Sequence, residues 1–285
     1  MKPPATKPPA VKQFVQLDKY RAAYTVRGSG RPVILLHGFF GDSETLGGLA
    51  DELKSDFQCF SLELLGFGDS EKPDIKYLVE DQVEFLRQFI EKLNLKDVYL
   101  LGYSYGAWVS AAYAIAHPSD LGYLGLLAPA GIRDDSFVGK YDAMKPLLWP
   151  TPLIDWAIAI YKYIAPLRND RAGYEKILLF RTTFKTQPAA TAILKSRLRP
   201  EDAVDTVEHE IHRITTPTIV VAAEQDETIP YWHSETYAKT VPNAEIEVVP
   251  DGDHGFIRTH STEIAQILKP RFQARNRATP GAIEG

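Results

Sequence analysis

Residues 98–116 read VYLLGYSYGAWVSAAYAIA, and this stretch decides the fold. Its first four residues are a short apolar run of the kind buried in a parallel sheet, whereas from Tyr105 onward the chain is alanine-rich and favours helix. Between them lies Gly102-Tyr103-Ser104-Tyr105-Gly106. A G-x-S-x-G at a strand-to-helix turn is the pattern of a nucleophile elbow, a bend sharp enough to lift one serine hydroxyl above the sheet. Such a bend crowds neighbouring backbone, so the positions two before and two after the serine must be nearly bare. A serine between a strand and a helix also reads as a plain N-cap, and the surrounding chain has to decide between the two.

Working outward, the same strand–loop–helix rhythm recurs on both sides. Upstream, two β-leaning pieces within residues 14–26 precede an apolar strand at 32–36, which runs into His37-Gly38-Phe39-Phe40-Gly41-Asp42-Ser43. A helix over 44–54, capped by Asp42 or Ser43, leads to a strand at 57–63. The glycine-rich loop Gly66-Phe67-Gly68-Asp69-Ser70 and a helix over about 77–93 follow. Downstream, strands at 121–127, 217–223 and 245–249 alternate with helices at 232–239 and 261–272. This alternation specifies an α/β architecture: a mostly parallel, doubly wound sheet of eight strands.

The rhythm breaks between about 132 and 210. There the chain gives Pro146, Pro150 and Pro152 among Leu147, Leu148, Trp149, Leu153, Ile154 and Trp156, then helical segments rich in Arg and Lys. We read a helical cap inserted into the domain; helices packed on the flank of the sheet are the alternative.

A serine hydroxyl is a weak nucleophile at neutral pH. It needs a base to take its proton and a third group to hold that base in the right tautomer. His254 lies in the loop after one late strand and Asp226 in the loop after the strand before it, giving the order Ser, Asp, His along the chain. Glu224 competes with Asp226, but the spacing to Pro230 favours Asp226. The remaining histidines read as structural (His37), helix-terminal (His117) or surface and capping residues (His209, His212, His233, His260). No His-Glu-x-x-His or cysteine cluster suggests a metal, and no cofactor is called for.

Taken together, His37-Gly38, Gly66-Phe67-Gly68-Asp69-Ser70, Gly102-Tyr103-Ser104-Tyr105-Gly106, Asp226 with Pro230, and His254 resemble the α/β-hydrolase fold superfamily over residues 14 to about 272. The resemblance implies Ser104 as nucleophile, His254 as general base and then acid, and Asp226 as the orienting carboxylate. It further implies an oxyanion hole from the backbone N–H groups of Phe39 and Tyr105, with Phe40 a weaker candidate. Ala107 stands where a further glycine is frequent in the family, Glu63 where aspartate is, and Leu65 where proline or arginine is. A serine at the elbow argues against the dehalogenase and epoxide hydrolase chemistries of the family, which use a carboxylate. Phe40, Tyr103, Trp149 and Phe256 would wall an aromatic substrate pocket. The activity implied is hydrolysis of hydrophobic acyl or aryl esters, as in an esterase or lipase. Carbon–carbon bond hydrolysis, thioester hydrolysis, proline iminopeptidase and cofactor-free perhydrolase chemistry, or a receptor-like binding role, share the same frame.

Composition narrows the partners. With 285 residues, 45% of them hydrophobic, the chain can bury a large core. A formal charge of -5 offers no overall basic field for nucleic acid. The single cysteine, Cys59, excludes an internal disulfide and lies in an apolar run. Residues 1–12, MKPPATKPPAVK, read as a disordered proline-rich arm without the apolar core of a secretory signal, and 275–285 as a flexible tail. No run approaches the ~18 apolar residues of a membrane span. We therefore expect a cytoplasmic protein whose partner is a small hydrophobic ester, with no stable membrane insertion; the sequence does not fix the oligomeric state.

Overall fold

The computed structural model describes residues 10–137, 142–196 and 205–278. Eight strands form one sheet: β1 (Lys12–Gln16), β2 (Arg21–Arg27), β3 (Arg31–Leu36), β4 (Phe57–Leu62), β5 (Val98–Tyr103), β6 (Leu121–Leu127), β7 (Thr218–Ala223) and β8 (Ala244–Val249). Their spatial order is β1-β2-β4-β3-β5-β6-β7-β8. Strands β1, β2 and β4 pair antiparallel, and every pairing from β4 through β8 is parallel. This is the eight-stranded, mostly parallel sheet that the alternating pattern specified.

The helices are α1 (Gly47–Leu53), α2 (Val79–Lys92), α3 (Tyr105–Ala116), α4 (Pro152–Ile164), α5 (Arg171–Thr186), α6 (Pro188–Ser196), α7 (Tyr231–Thr240), α8 (Phe256–Thr259) and α9 (Ser261–Ala278). Apolar side chains at helical spacing split them between the two faces of the sheet. On one face Leu86 and Phe89 of α2, Val109 and Tyr113 of α3 and Tyr237 of α7 close a core over Leu100 and Leu126. On the other, Leu49 and Leu53 of α1 and Leu268 and Phe272 of α9 pack over Leu101, Tyr99 and Tyr123. Strands β5 and β6 are buried at every position because both faces are covered. Each such fully buried large side chain contributes about 1.5–3 kcal/mol. Cys59 of β4 is wholly enclosed, and burial pushes its thiol up to about 12.

Two boundaries move from their expected places. Helix α1 begins at Gly47 rather than at residue 44, because Asp42 Oδ1 accepts the Glu44 N–H (3.0 Å) and holds residues 42–46 in turns. Helix α9 continues past 272 to Ala278, so residues 275–278 are helix and not tail. A tertiary bond extends it: the hydroxyl of Tyr99 donates to Asn276 Oδ1 at 2.7 Å. At the other end, Lys12 is the first residue of β1 rather than the last of an arm. Residues 1–9 of the expected arm and 279–285 of the expected tail lie outside the described residues.

Between β6 and β7 the described residues contain helices and turns and no strand. Arg181 of α5 organises their entry. Its side chain is buried, pairs with both oxygens of Asp155 (3.0 and 3.1 Å), and donates to the carbonyls of Leu147 (2.7 Å), Trp149 (2.8 Å) and Thr151 (3.2 Å). A buried guanidinium is tolerable because its donors are met, and here it fastens the proline-rich segment onto α5. Arg181 and then Lys185 hold the Asp155 carboxyl well below the usual range. No helix among the described residues is long and apolar enough to cross a membrane.

Candidate active site

Ser104 sits between the last residue of β5 and the first of α3 with φ 53° and ψ -114°, a conformation few L residues adopt. The surroundings enforce it. The Ser104 N–H donates to Leu127 O (2.9 Å), and the Ser104 carbonyl accepts from the N–H groups of Ala107 (3.0 Å), Trp108 (3.2 Å) and Ala130 (3.2 Å). The flanking glycines are steric requirements: a Cβ on Gly102 would lie 2.3 Å from Gly106 O, and one on Gly106 would lie 2.4 Å from Leu36 O. Ala107 is fully buried in the same contact, where its methyl is accommodated. The plain N-cap reading fails, since the Ser104 side chain caps nothing in α3.

The hydroxyl is engaged elsewhere. Ser104 Oγ lies 3.0 Å from His254 Nε2, and His254 Nδ1 lies 2.7 Å from Asp226 Oδ2. Three side chains from the ends of β5, β7 and β8 meet at the carboxyl edge of the sheet, as parallel strands require of their following loops. The remaining Asp226 oxygen, Oδ1, accepts the N–H groups of Thr228 and Ile229, both at 2.8 Å, so the carboxylate is held from two sides. Glu224 does not take part; it is exposed and accepts the Asp251 N–H (3.2 Å). Asp253 is exposed and accepts the Gly255 N–H (2.8 Å).

This network fixes a tautomer. A carboxylate only accepts, so His254 carries its proton on Nδ1 and turns the Nε2 lone pair toward the serine O–H. The amino end of α3, a 12-residue helix, adds its partial positive charge beside Ser104.

The loop after β3 closes the site from the other side. Leu36 pairs with Gly102, which brings Gly38 beside the elbow; a Cβ there would be 3.1 Å from Ser104 Cβ. His37 is fully buried and pins this loop. Its Nε2 accepts the Leu64 N–H (3.1 Å), so Nδ1 donates to Gly38 O (2.8 Å), and burial, outweighing that bond, lowers its pKa. Glu63 braces both glycine loops from below. It accepts from Ser43 Oγ (2.8 Å), Ser43 N–H (3.1 Å), Asp69 N–H (2.5 Å) and Lys12 Nζ (2.7 Å). Burial alone would raise its carboxyl, but these bonds win and leave it below the ordinary range.

The expected pocket residues separate. Phe40, at φ 63°, projects from the β3 loop onto Phe180 and Phe184 of α5, each with ring centroids 5.5 Å away, and onto Phe39 at 4.3 Å. Phe39 and Tyr105 are 6.5 Å apart, ring to ring. Tyr103 and Phe256, expected as walls, lie instead beneath His254. Phe256 is fully buried in the α1–α9 core, and the Tyr103 ring packs against His254 (5.2 Å) and Phe256 (6.3 Å). Strand alternation explains Tyr103, which points to the face opposite Gly102. Trp149 is 56% exposed, and Trp156 is 63% exposed, so neither is enclosed in a cleft. Phe180 and Phe184 carried no signal in the sequence beyond helical spacing.

One histidine also departs from expectation. His233, read as a surface or capping residue, is fully buried with Nε2 3.0 Å from Asp134 Oδ2, tying the start of α7 to the loop after β6. Among the described residues, no group of three or more His, Cys, Asp or Glu side chains is placed to hold a metal ion.

A parallel sheet whose carboxyl edge gathers a serine, an aspartate and a histidine, in that chain order, is the arrangement of the alpha/beta hydrolase class. Residues 31–260 match the alpha/beta hydrolase fold, and the chain belongs to that family. It is 23% identical over 279 residues to monoacylglycerol lipase ABHD6 of Bos taurus, covering 90% of this chain and 80% of that one. It is 22% identical over 261 residues to 2-hydroxy-6-oxo-6-(2'-aminophenyl)hexa-2,4-dienoic acid hydrolase of Metapseudomonas resinovorans, covering 90% and 88%. Among solved structures, an esterase from Thermogutta terrifontis superposes with a TM-score of 0.71 at 20% identity, covering 93% of this chain and 99% of that one.

Proposed function

We propose that this protein is a serine hydrolase that cleaves carboxylic esters with hydrophobic acyl or aryl groups through an acyl-enzyme. The observation that carries the reading is the unbroken line Ser104 Oγ–His254 Nε2 (3.0 Å) and His254 Nδ1–Asp226 Oδ2 (2.7 Å). In this mechanism His254 takes the Ser104 proton as the oxygen attacks the ester carbonyl, and Asp226 stabilises the resulting imidazolium. The tetrahedral oxyanion is met by the backbone N–H groups of Phe39 and Tyr105, aided by the α3 dipole. His254 then protonates the leaving alcohol, and water, deprotonated by the same imidazole, frees the acid. No cofactor takes part.

The acyl or aryl group would rest against Phe39, Phe40, Phe180 and Phe184, with the helices between β6 and β7 serving as a cap over the site. The likeness to a lipase and an esterase supports this reading. Likeness to a dienoic acid hydrolase supports a second one, carbon–carbon bond hydrolysis by the same residues.

A fluorophosphonate probe and a chain-length series of p-nitrophenyl esters test the proposal. Covalent labelling that disappears in Ser104→Ala, with turnover of the esters, is the expected result. Absence of both in a folded protein overturns it, and turnover of a vinylogous diketone without ester turnover selects the second reading.

A further inference from the structure

We propose that the outer face of the helices between β6 and β7 is a docking surface for an anionic lipid bilayer. The proposal starts from α4, PLIDWAIAIYKYI, which carries only two charged side chains in 13 residues. A helix that is apolar nearly all round belongs in a protein core or in lipid. Yet α4 buries only Ile158 fully, while Leu153, Trp156, Ile160 and Tyr163 are 62%, 63%, 61% and 75% exposed. Spaced at 3, 4 and 3 residues, these four form one stripe along the helix, on the side away from Ile158. Leu167, just beyond the helix, extends the stripe at 87% exposure, and Leu179 of α5 adds a further side chain at 63%. Most of the exposed large apolar side chains among the described residues lie between Trp149 and Leu179. So concentrated a patch marks an interaction surface.

Charge selects the occupant. Residues 142–196 hold eight Lys and Arg against four Asp and Glu, a net of +4, in a chain whose formal charge is -5. Arg168, Arg171 and Lys176 are exposed on the elements that flank α4, with Arg171 paired to the exposed Glu175 (3.1 Å). Two copies of the chain meeting through this face would bring like charge together, whereas an anionic membrane surface complements it. Cations flanking an apolar stripe that carries Trp and Tyr are the composition of a helix lying in the headgroup region rather than crossing it. The same α5 that contributes Leu179 outward sets Phe180 and Phe184 against Phe40. Docking would thus bring the site's rim to the bilayer; what then enters the site rests on the esterase reading, but the docking does not.

The test uses full-length Ser104→Ala protein in vesicle flotation, comparing phosphatidylcholine alone with phosphatidylcholine plus phosphatidylserine. Binding should require phosphatidylserine and weaken with added salt. In the same background, Leu153→Ser/Ile160→Ser/Leu167→Ser should lower the partition coefficient at least tenfold, and Arg168→Gln about fivefold. Thermal unfolding of each variant, and turnover of p-nitrophenyl acetate by the triple variant with Ser104 restored, check that the fold is intact. Equal binding by the triple variant, or no binding at low salt by the well-folded parent, overturns the proposal. A concentration-dependent dimer that the triple variant abolishes also overturns it, assigning the face to a second copy. Vesicle binding by a protein inactive on every ester would support docking while refuting the esterase reading.

Discussion

The hydroxyl of Tyr103 donates to the backbone carbonyl of His254, 151 residues away in the chain. Tyr103 immediately precedes Ser104, so the strand that carries the hydroxyl also anchors the backbone of the histidine it meets. Burial, followed by the charges of Asp226 and Asp253, holds the Tyr103 phenol well above its ordinary range, and it stays a donor throughout neutral pH. Tyr103→Phe keeps the ring packing and removes only this bond, a loss of about 0.5–1.5 kcal/mol in stability. The looser imidazole should lower kcat about threefold to tenfold with KM unchanged. Steady-state kinetics on one p-nitrophenyl ester and an equilibrium melt measure both; an equal change in KM would mean that Tyr103 contacts substrate.

Asp226→Asn should reduce kcat by about 10⁴. The amide can still accept from Thr228 and Ile229 through its oxygen, which turns its NH₂ toward His254 Nδ1. The imidazole then carries its proton on Nε2 and has no lone pair for Ser104. Unchanged stability with lost turnover is the expected pair of results, and retained turnover would exclude the tautomer argument.

Ser104 stores strain, and its replacement should release some. Ser104→Gly should be more stable than Ser104→Ala by about 1 kcal/mol or more, since glycine adopts φ 53° and ψ -114° without penalty. Denaturant midpoints of the two variants provide the comparison; equal midpoints would place the strain elsewhere.

Acid should loosen the loops before it unfolds the sheet. Glu63 has a depressed pKa in the folded state, so its contribution is complete above the ordinary glutamate value of about 4.3 and fades as pH falls through the lower folded value. The melting temperature of the parent should therefore drop below about pH 5 more steeply than that of Glu63→Gln. At pH 7 the variant should be less stable by about 1–3 kcal/mol, because its amide cannot replace the carboxylate toward Lys12, Ser43 and Asp69. Parallel pH profiles for the two proteins would show that Glu63 does not titrate in this window.

The ring cluster joins the β3 loop to α5, and a double-mutant cycle can weigh it. Phe40→Leu and Phe184→Leu should show a coupling of about 0.5–1.5 kcal/mol in stability. Additive effects would mean that the two elements are energetically independent.

The parallel strands were legible because they are short apolar runs punctuated by glycine. The elbow was legible because its two glycines answer a steric demand, visible in the 2.3 and 2.4 Å approaches at Gly102 and Gly106. Asp226 and His254, which the structure brings to Ser104, were singled out by chain order, the spacing of Asp226 to Pro230 and the family resemblance. Side-chain direction was harder to read. Tyr103 and Phe256 were placed as walls because aromatic residues near a serine suggest a cleft, but the pleat turns Tyr103 to the α1–α9 side and Phe256 packs beneath it. The Phe40–Phe184 contact and the Arg181 clamp join segments more than twenty-five residues apart with no local periodicity to announce them. The same holds for residues 275–278, where the helix, bonded to Tyr99 through Asn276, outlasts the apolar pattern.

Cys59 has a practical corollary. The only thiol in the chain is sealed inside β4 and protonated far above neutral pH, which makes the native protein a silent background for thiol-directed reagents. A cysteine introduced on the outward side of α4 would then be the sole position to take up a fluorophore or spin label, reporting its surroundings without any need to engineer Cys59 away.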